Sequence, residues 1–333
     1  MTQPPVLVSP DSFKGTMRAT EVASAIGRGL ERAGLEPPDL CPVADGGEGT
    51  LEVLLTALGG ETAGAPATDP LGRPINGGFA LIEDGGTAIV EVAEASGLHL
   101  VAPEERDAER ATSRGTGELI VAAAAAGAEV ILVAAGGSAT TDGGAGAIEA
   151  IEEAGGLQGA TVVVLCDVRT PFEHAAERFG PQKGADPDAV ERLRRRLDAF
   201  AATLPKDPRG LPMTGAAGGL SGGLHACFGA KLEPGAPFIL NALDFDARMR
   251  AARAVIVGEG RLDATTLEGK IAGEIATRAR QAGVPCHAIV GTNAIDRFSA
   301  RILDLQVILE ASTPDELEAA GERLGTMLER HEA

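Results

Sequence analysis

Carboxylates and paired glycines crowd into five short loops, each directly after an apolar run: VLVSPDSFKG (6–15), LCPVADGGEGT (40–50), EVILVAAGGSATTDGGAG (129–146), TVVVLCDVRTP (161–171) and RAVIVGEGRLD (253–263). Glycine lets a backbone N–H approach a phosphate closely, but Asp and Glu in the same loop repel that phosphate unless a divalent cation lies between them. These residue types point to metal-assisted phosphate chemistry. In the second loop Gly46 and Gly47 open a helix whose N–H groups favour an anion, while Asp45 and Glu48 favour a cation. A tight turn explains those glycines but not both acids. In the third, Gly136 and Gly137 precede the hydroxyls of Ser138 and Thr140 and the carboxylate of Asp142, although a helix cap accounts for the threonine equally well. The last supplies Glu259, Arg261 and Asp263. Lys14, Arg73, Lys183 and Lys270 also stand in Gly- or Pro-bearing loops. Singly each reads as a surface charge; together they match the charge of a triphosphate and a carboxylate.

Other chemistries lack their motifs. Gly269-Lys270 is followed by Ile271, so there is no phosphate-binding loop of the Walker type, and SPDSFKG after the first apolar run is not a dinucleotide fingerprint. Ser113 lies in TSRGTG, outside any nucleophile elbow, and the histidines show no zinc spacing. A net charge of -19, no Trp or Tyr and only 9 Phe leave neither a basic footprint nor a stacking platform, which excludes nucleic acid as a partner. Cys41, Cys166, Cys227 and Cys286 are far apart and read as buried thiols in a reducing compartment. The opening MTQPP lacks the basic start and apolar core expected of a leader, and no apolar stretch reads as long enough to span a bilayer. The expectation is a cytoplasmic protein without membrane contact.

The elements that must hold these loops follow from hydrophobic period. Short Val/Ile/Leu runs without polar alternation read as strands buried on both faces, and open α/β sheets bind ligands beyond the carboxyl ends of such strands. Thr20 caps an amphipathic helix with Val22, Ile26 and Leu30 on one face, giving a β-α-β start, and a second helix runs from Gly49 to Gly59-Gly60. FALI, EDGG and TAIVEV (79–92) read as a hairpin. Asp186 and Pro187 start a helix whose ERLRRRL run is a solvated face. The Gly-rich stretch 206–223 reads as a hinge or as close backbone packing. A last helix begins at the capping box Thr313 to Glu316. The predicted fold is α/β: a Rossmann-like, doubly wound domain formed by both chain ends (1–60 with 245–333), interrupted by a second α/β domain (61–244) that contains the hairpin.

SPDSFKG, VADGGEGT, DPLGRP, TSRGTGELI, GGSATTDGGAG, FGPQKGA, GAAGGLSGGL and GEGRLD occur in this order, and with them most of the chain resembles the bacterial glycerate kinases of glyoxylate and galactarate pathways. The resemblance implies a transferase that moves a phosphoryl group from ATP, with Mg, to D-glycerate, 2-phosphoglycerate being the favoured product. Two departures stand out: Thr141 replaces the usual Asn, and the segment 156–179 is shorter by roughly thirty residues, the size of a hairpin or helix pair.

Phosphoryl transfer needs positioning, charge neutralisation and a carboxylate to orient the attacking hydroxyl. On the resemblance, the catalytic group is Asp167, as base, with Asp142, Asp45 and Lys14. Gly46, Gly47, Gly136, Gly137, Ser138, Thr140, Lys183, Arg261 and Lys270 would bind the nucleotide. Asp11, Arg73 and Ser113 would bind the substrate, and Asp45, Glu48, Glu259 and Asp263 the metal. A homodimer is compatible with this reading. The shortened segment keeps open a kinase for another small hydroxy acid, and a non-catalytic sensor of nucleotides or sugar acids is the remaining alternative.

Overall fold

The computed structural model describes residues 3–13 and 15–330. Among them the strands are β1 Val6–Pro10, β2 Asp39–Leu40, β3 Glu61–Thr68, β4 Pro74–Ile82, β5 Thr87–Glu91, β6 Val130–Ala134, β7 Thr161–Cys166, β8 Lys231–Pro234, β9 Ala254–Gly258, β10 Arg261–Leu262, β11 Cys286–Val290, β12 Thr292–Asn293 and β13 Leu305–Glu310. The α/β class expected from the sequence is what the chain adopts. It divides into two compact units, residues 1–45 with 236–333, and residues 46–235. The first bound differs from 60/61 because helix Thr50–Leu58 packs on β4 and β5 of the middle unit, and the second falls at 235/236 in place of 244/245.

The unit of chain ends is built on a parallel sheet in the order β13-β11-β9-β1-β2. Val6, Val8, Ile256 and Ile289 bury one face against Val22, Ile26 and Leu30 of helix Ala19–Arg32 and Leu317 and Leu324 of helix Pro314–Arg330. Those two helices touch backbone to backbone: a Cβ on Gly29 would stand 2.0 Å from the Glu318 carbonyl. The first helix starts one residue before Thr20, at Ala19, because the Arg18 N–H donates to Glu21 Oε2 at 2.9 Å and makes the cap. The box at Thr313 forms as its sequence predicts, with Glu316 N donating to Thr313 Oγ1 at 3.3 Å and Thr313 N to Glu316 Oε2 at 3.2 Å.

The middle unit carries the mixed sheet β3-β4-β5-β6-β7-β8. The predicted hairpin is β4 and β5, antiparallel through Ile82 and Thr87, and β3 adds an edge the sequence reading omitted. β5 to β8 are parallel, and Ile131, Val133, Val162 and Val164 form the core with Leu119, Ile151 and Leu220. The Gly-rich stretch resolves toward close packing: a Cβ on Gly218 would lie 1.9 Å from the Thr140 carbonyl. Asp186 caps its helix through Ala189 N at 2.7 Å, and Arg194 and Arg195 stay on the solvated face paired with Glu191. The four cysteines are free. Among the described residues no helix is long and apolar enough to cross a membrane.

Candidate active site

In the unit of chain ends, strand order reverses between β1 and β9, because β2 lies on one side of β1 while β9, β11 and β13 extend on the other. Open parallel sheets place ligands at such a switch point, beyond the carboxyl ends. A cavity of about 420 Å³ stands there, lined by Asp11 after β1, Asp45 after β2, Glu259 and Arg261 after β9, and Lys270. Asp11, Asp45 and Glu259 are each more than nine-tenths buried. Val43 N donates to the Pro10 carbonyl at 3.0 Å, which extends the pairing of β1 and β2 and carries Asp45 to this edge.

Glu259 Oε1 accepts from Thr266 Oγ1 at 2.7 Å and Oε2 from Lys270 Nζ at 3.3 Å. Burial still holds its pKa above the ordinary carboxylate value, against the pull of Lys270 and Thr266. Asp263 is set beside it by Thr265 and by Arg261 Nε at 3.1 Å, and the Thr265 bonds hold its pKa below the ordinary value. The loops after β9 and β11 are laced together: β10 pairs with β12, and Gly291 N donates to the Glu259 carbonyl at 3.0 Å. A side chain at Gly291 would strike the Gly260 carbonyl at 2.5 Å, so glycine is the residue that permits this lacing. Lys14 lies outside the described residues.

In the middle unit the parallel strands leave Glu91, Gly136 and Asp167 at one edge. The two glycine loops meet there. A Cβ on Gly136 would stand 2.5 Å from Gly47 Cα, and Gly46, with φ +94°, packs on Leu165 and Gly235. A Cβ on Gly137 would be 3.7 Å from a carboxylate oxygen of Glu48. Lys183, 2% exposed, donates to Ser138 Oγ at 3.0 Å and to the Thr140 carbonyl at 2.5 Å. Burial lowers its pKa to about 7, with Asp142 and Asp167 opposing that shift. The hydroxyls of Thr140 and Thr141 are buried without a hydrogen-bond partner among the described residues.

Three predicted site residues have different work here. Asp142 is a clasp: Oδ2 accepts from Ser113 N at 2.9 Å, Ser113 Oγ at 2.8 Å and Gly146 N at 3.2 Å, and Oδ1 from Gly144 N at 3.0 Å. Ser113 is fully buried in that clasp, where its Oγ also accepts from Ala147 N at 3.1 Å. Arg73 closes the turn after β3, with Nε 2.5 Å from Asp69 Oδ2 and its other nitrogens on Glu105 and the Leu100 carbonyl. A guanidinium so committed fixes a turn.

The sequence reading missed Glu91. Its Oε1 accepts from Leu51 N at 2.7 Å and so caps the helix that follows the ADGGEG loop. Burial, with Glu94 and Glu48 nearby, raises its pKa to about 7. A lone acid inside the apolar TAIVEV run was the available signal. The hydroxyls of Ser12, Thr16, Thr292 and Ser312 on the first cavity were also missed, since such residues are common in any loop.

The glycerate kinase family model matches residues 6–155 and 152–332, two stretches that meet where the shortened segment begins. The chain is 36% identical to the glycerate 2-kinase of Escherichia coli (strain K12), over 86% of this chain and 85% of that protein. It is 38% identical to the glycerate kinase of Bacillus subtilis (strain 168), over 87% and 86%. A crystal structure of a protein assigned as glycerate kinase 2 from Salmonella typhimurium LT2 superposes with a TM-score of 0.83 at 32% identity, covering all of both chains. With the acid-lined switch point and the paired glycine loops in place, and with both units matched, the chain belongs to the glycerate kinase family.

Proposed function

We propose that this kinase transfers the γ-phosphoryl group of ATP to D-glycerate and that the 2-hydroxyl is the acceptor. One observation carries the reading: a chain of this family keeps buried acids and two cations around a cavity at the switch point of its Rossmann-like sheet. The product position follows the name of the Escherichia coli relative.

The residues fit a magnesium ion carried by phosphates. Among the described residues no three His, Cys, Asp or Glu side chains converge to cage a metal. Magnesium takes one or two carboxylates and fills its shell with phosphate and water. Of the acids assigned to it, Asp45 and Glu259 line the cavity in the unit of chain ends, and Asp45, at the carboxyl edge after β2, is the ligand proposed there. When bound, the ion neutralises charge on the transferring phosphate. Asp167, half-buried at the end of β7, is the proposed base, and the glycine loops and Lys183 support the phosphates. A cytoplasmic location and a homodimer rest on the sequence reading alone.

The test is phosphorus NMR of the product formed from D-glycerate, ATP and magnesium. A phosphorus resonance split by one proton marks the 2-phosphate; splitting by two marks the 3-phosphate. Consumption of ATP only with a different hydroxy acid would move the acceptor. Ligand binding with no turnover would favour a sensor.

A further inference from the structure

We propose that the cavity at the β1/β9 switch point is the subsite for the hydroxy-acid acceptor, with Arg261 and Lys270 taking its carboxylate and Asp11 and the neighbouring serine and threonine hydroxyls taking its hydroxyl groups. This rests on the kinase reading and specifies which part of the chain holds which ligand. Four observations carry it.

The first is lining chemistry. A purine needs an apolar slot with a few polar contacts at its edge, whereas the described lining residues of this cavity include one large apolar side chain, Phe13, among hydroxyls, acids, two cations and glycine backbone. The second is charge. Among the described lining residues, Asp11, Asp45 and Glu259 outnumber Arg261 and Lys270. A hydroxy acid brings one negative charge into that field and offers hydroxyl donors to the carboxylates.

The third is donor capacity. Lys270 has three N–H donors and Arg261 five; among the described residues Lys270 pairs with Glu259 and Asp263 and Arg261 with Asp263, fewer partners than either has donors, so N–H groups are available to a ligand carboxylate. Lys270 is also the N-cap of helix Ile271–Ala282, whose dipole favours an anion at that end. The fourth is rigidity. Arg261 and Thr292 are direct partners in the β10/β12 pairing, so the backbones that carry a cation and a hydroxyl are held in register before any ligand arrives.

Two substitutions test the assignment on the full-length protein with steady-state kinetics in both substrates. The Arg261 side chain is 63% exposed, so Arg261→Gln preserves folding, and it should raise KM for D-glycerate about tenfold while KM for ATP stays within about twofold. Lys270→Met, checked for folding by its thermal melt, should do the same more strongly. Calorimetric titration of D-glycerate in the presence of a non-hydrolysable ATP analogue and magnesium supplies a readout apart from turnover. Loss of glycerate affinity with analogue affinity unchanged supports the subsite. A raised KM for ATP with glycerate binding intact, or no change in either, overturns it and leaves the kinase reading standing. Glycerate that binds through Arg261 to a wild-type protein unable to phosphorylate it overturns the kinase reading and leaves the subsite.

Discussion

Lys183 Nζ lies 3.0 Å from Ser138 Oγ inside the middle unit, a lysine 2% exposed tethered to a loop that also carries the paired glycines. Its folded pKa of about 7 is far below the unfolded value of about 10.4. A depressed lysine pKa contributes stability at pH values above the unfolded value, and that contribution is lost as pH falls through the folded one. Between about pH 7 and pH 10 the wild type should therefore gain more stability on raising pH than Lys183→Met does. Urea unfolding of both proteins across that window checks this; equal slopes would mean the amine stays charged in the fold.

Glu91 titrates in the opposite sense. Its folded pKa of about 7 lies above the model value of 4.5, so its contribution is present below pH 4.5 and lost as pH rises through 7. Glu91→Gln keeps an acceptor for Leu51 N and removes the charge. It should match the wild type near pH 5 and exceed it in stability at pH 8. Glu91→Ala leaves Leu51 N without its side-chain partner and should be about 1 to 2 kcal/mol less stable than Glu91→Gln at both pH values. Denaturation midpoints at the two pH values decide.

Asp142 accepts three backbone N–H groups and one hydroxyl, so Asp142→Ala should destabilise by about 2 kcal/mol or more. A variant as stable as the wild type, with only turnover lost, would return Asp142 to catalysis.

Asp167→Asn addresses the base directly. Removal of a positioned carboxylate should lower kcat by about a hundredfold or more with the thermal melt unchanged. Near-normal kcat would remove Asp167 from that role.

Gly136→Ala places a methyl group 2.5 Å from Gly47 Cα, and overpacking of this kind costs about 1 to 3 kcal/mol. Because both glycine loops must part, KM for ATP should rise as well. Unchanged nucleotide affinity in a destabilised variant would separate these loops from the phosphates.

The buried parallel strands β1, β6, β7, β9 and β11 were legible because their uninterrupted Val/Ile/Leu-rich runs admit few other burials, whereas β8, KLEP at the sheet edge, carries no such run and was not. The caps at Asp186 and Thr313 were legible because they act over three residues. The eight motifs were legible in register, which is why the family was. The role of each acid was less so. Asp142, Glu259 and Asp263 all read as metal or catalytic candidates, yet one clasps a loop and two pair with cations. Those partners come from positions near and far: Asp263 and Lys270 close by, Ser113 twenty-nine residues away.

What the sequence determined by itself is everything set by local period and short-range chemistry: buried strands, capped helices, glycine turns and the carboxylates that follow them. Tertiary structure alone decided that Glu91, at the end of β5, reaches the N–H of Leu51, that Gly47 and Gly136 meet without side chains between them, and that Arg261 pairs across to Thr292. The physical reason is that a carboxylate's task depends on which donors surround it, and sheet order, which no local pattern encodes, chooses those donors.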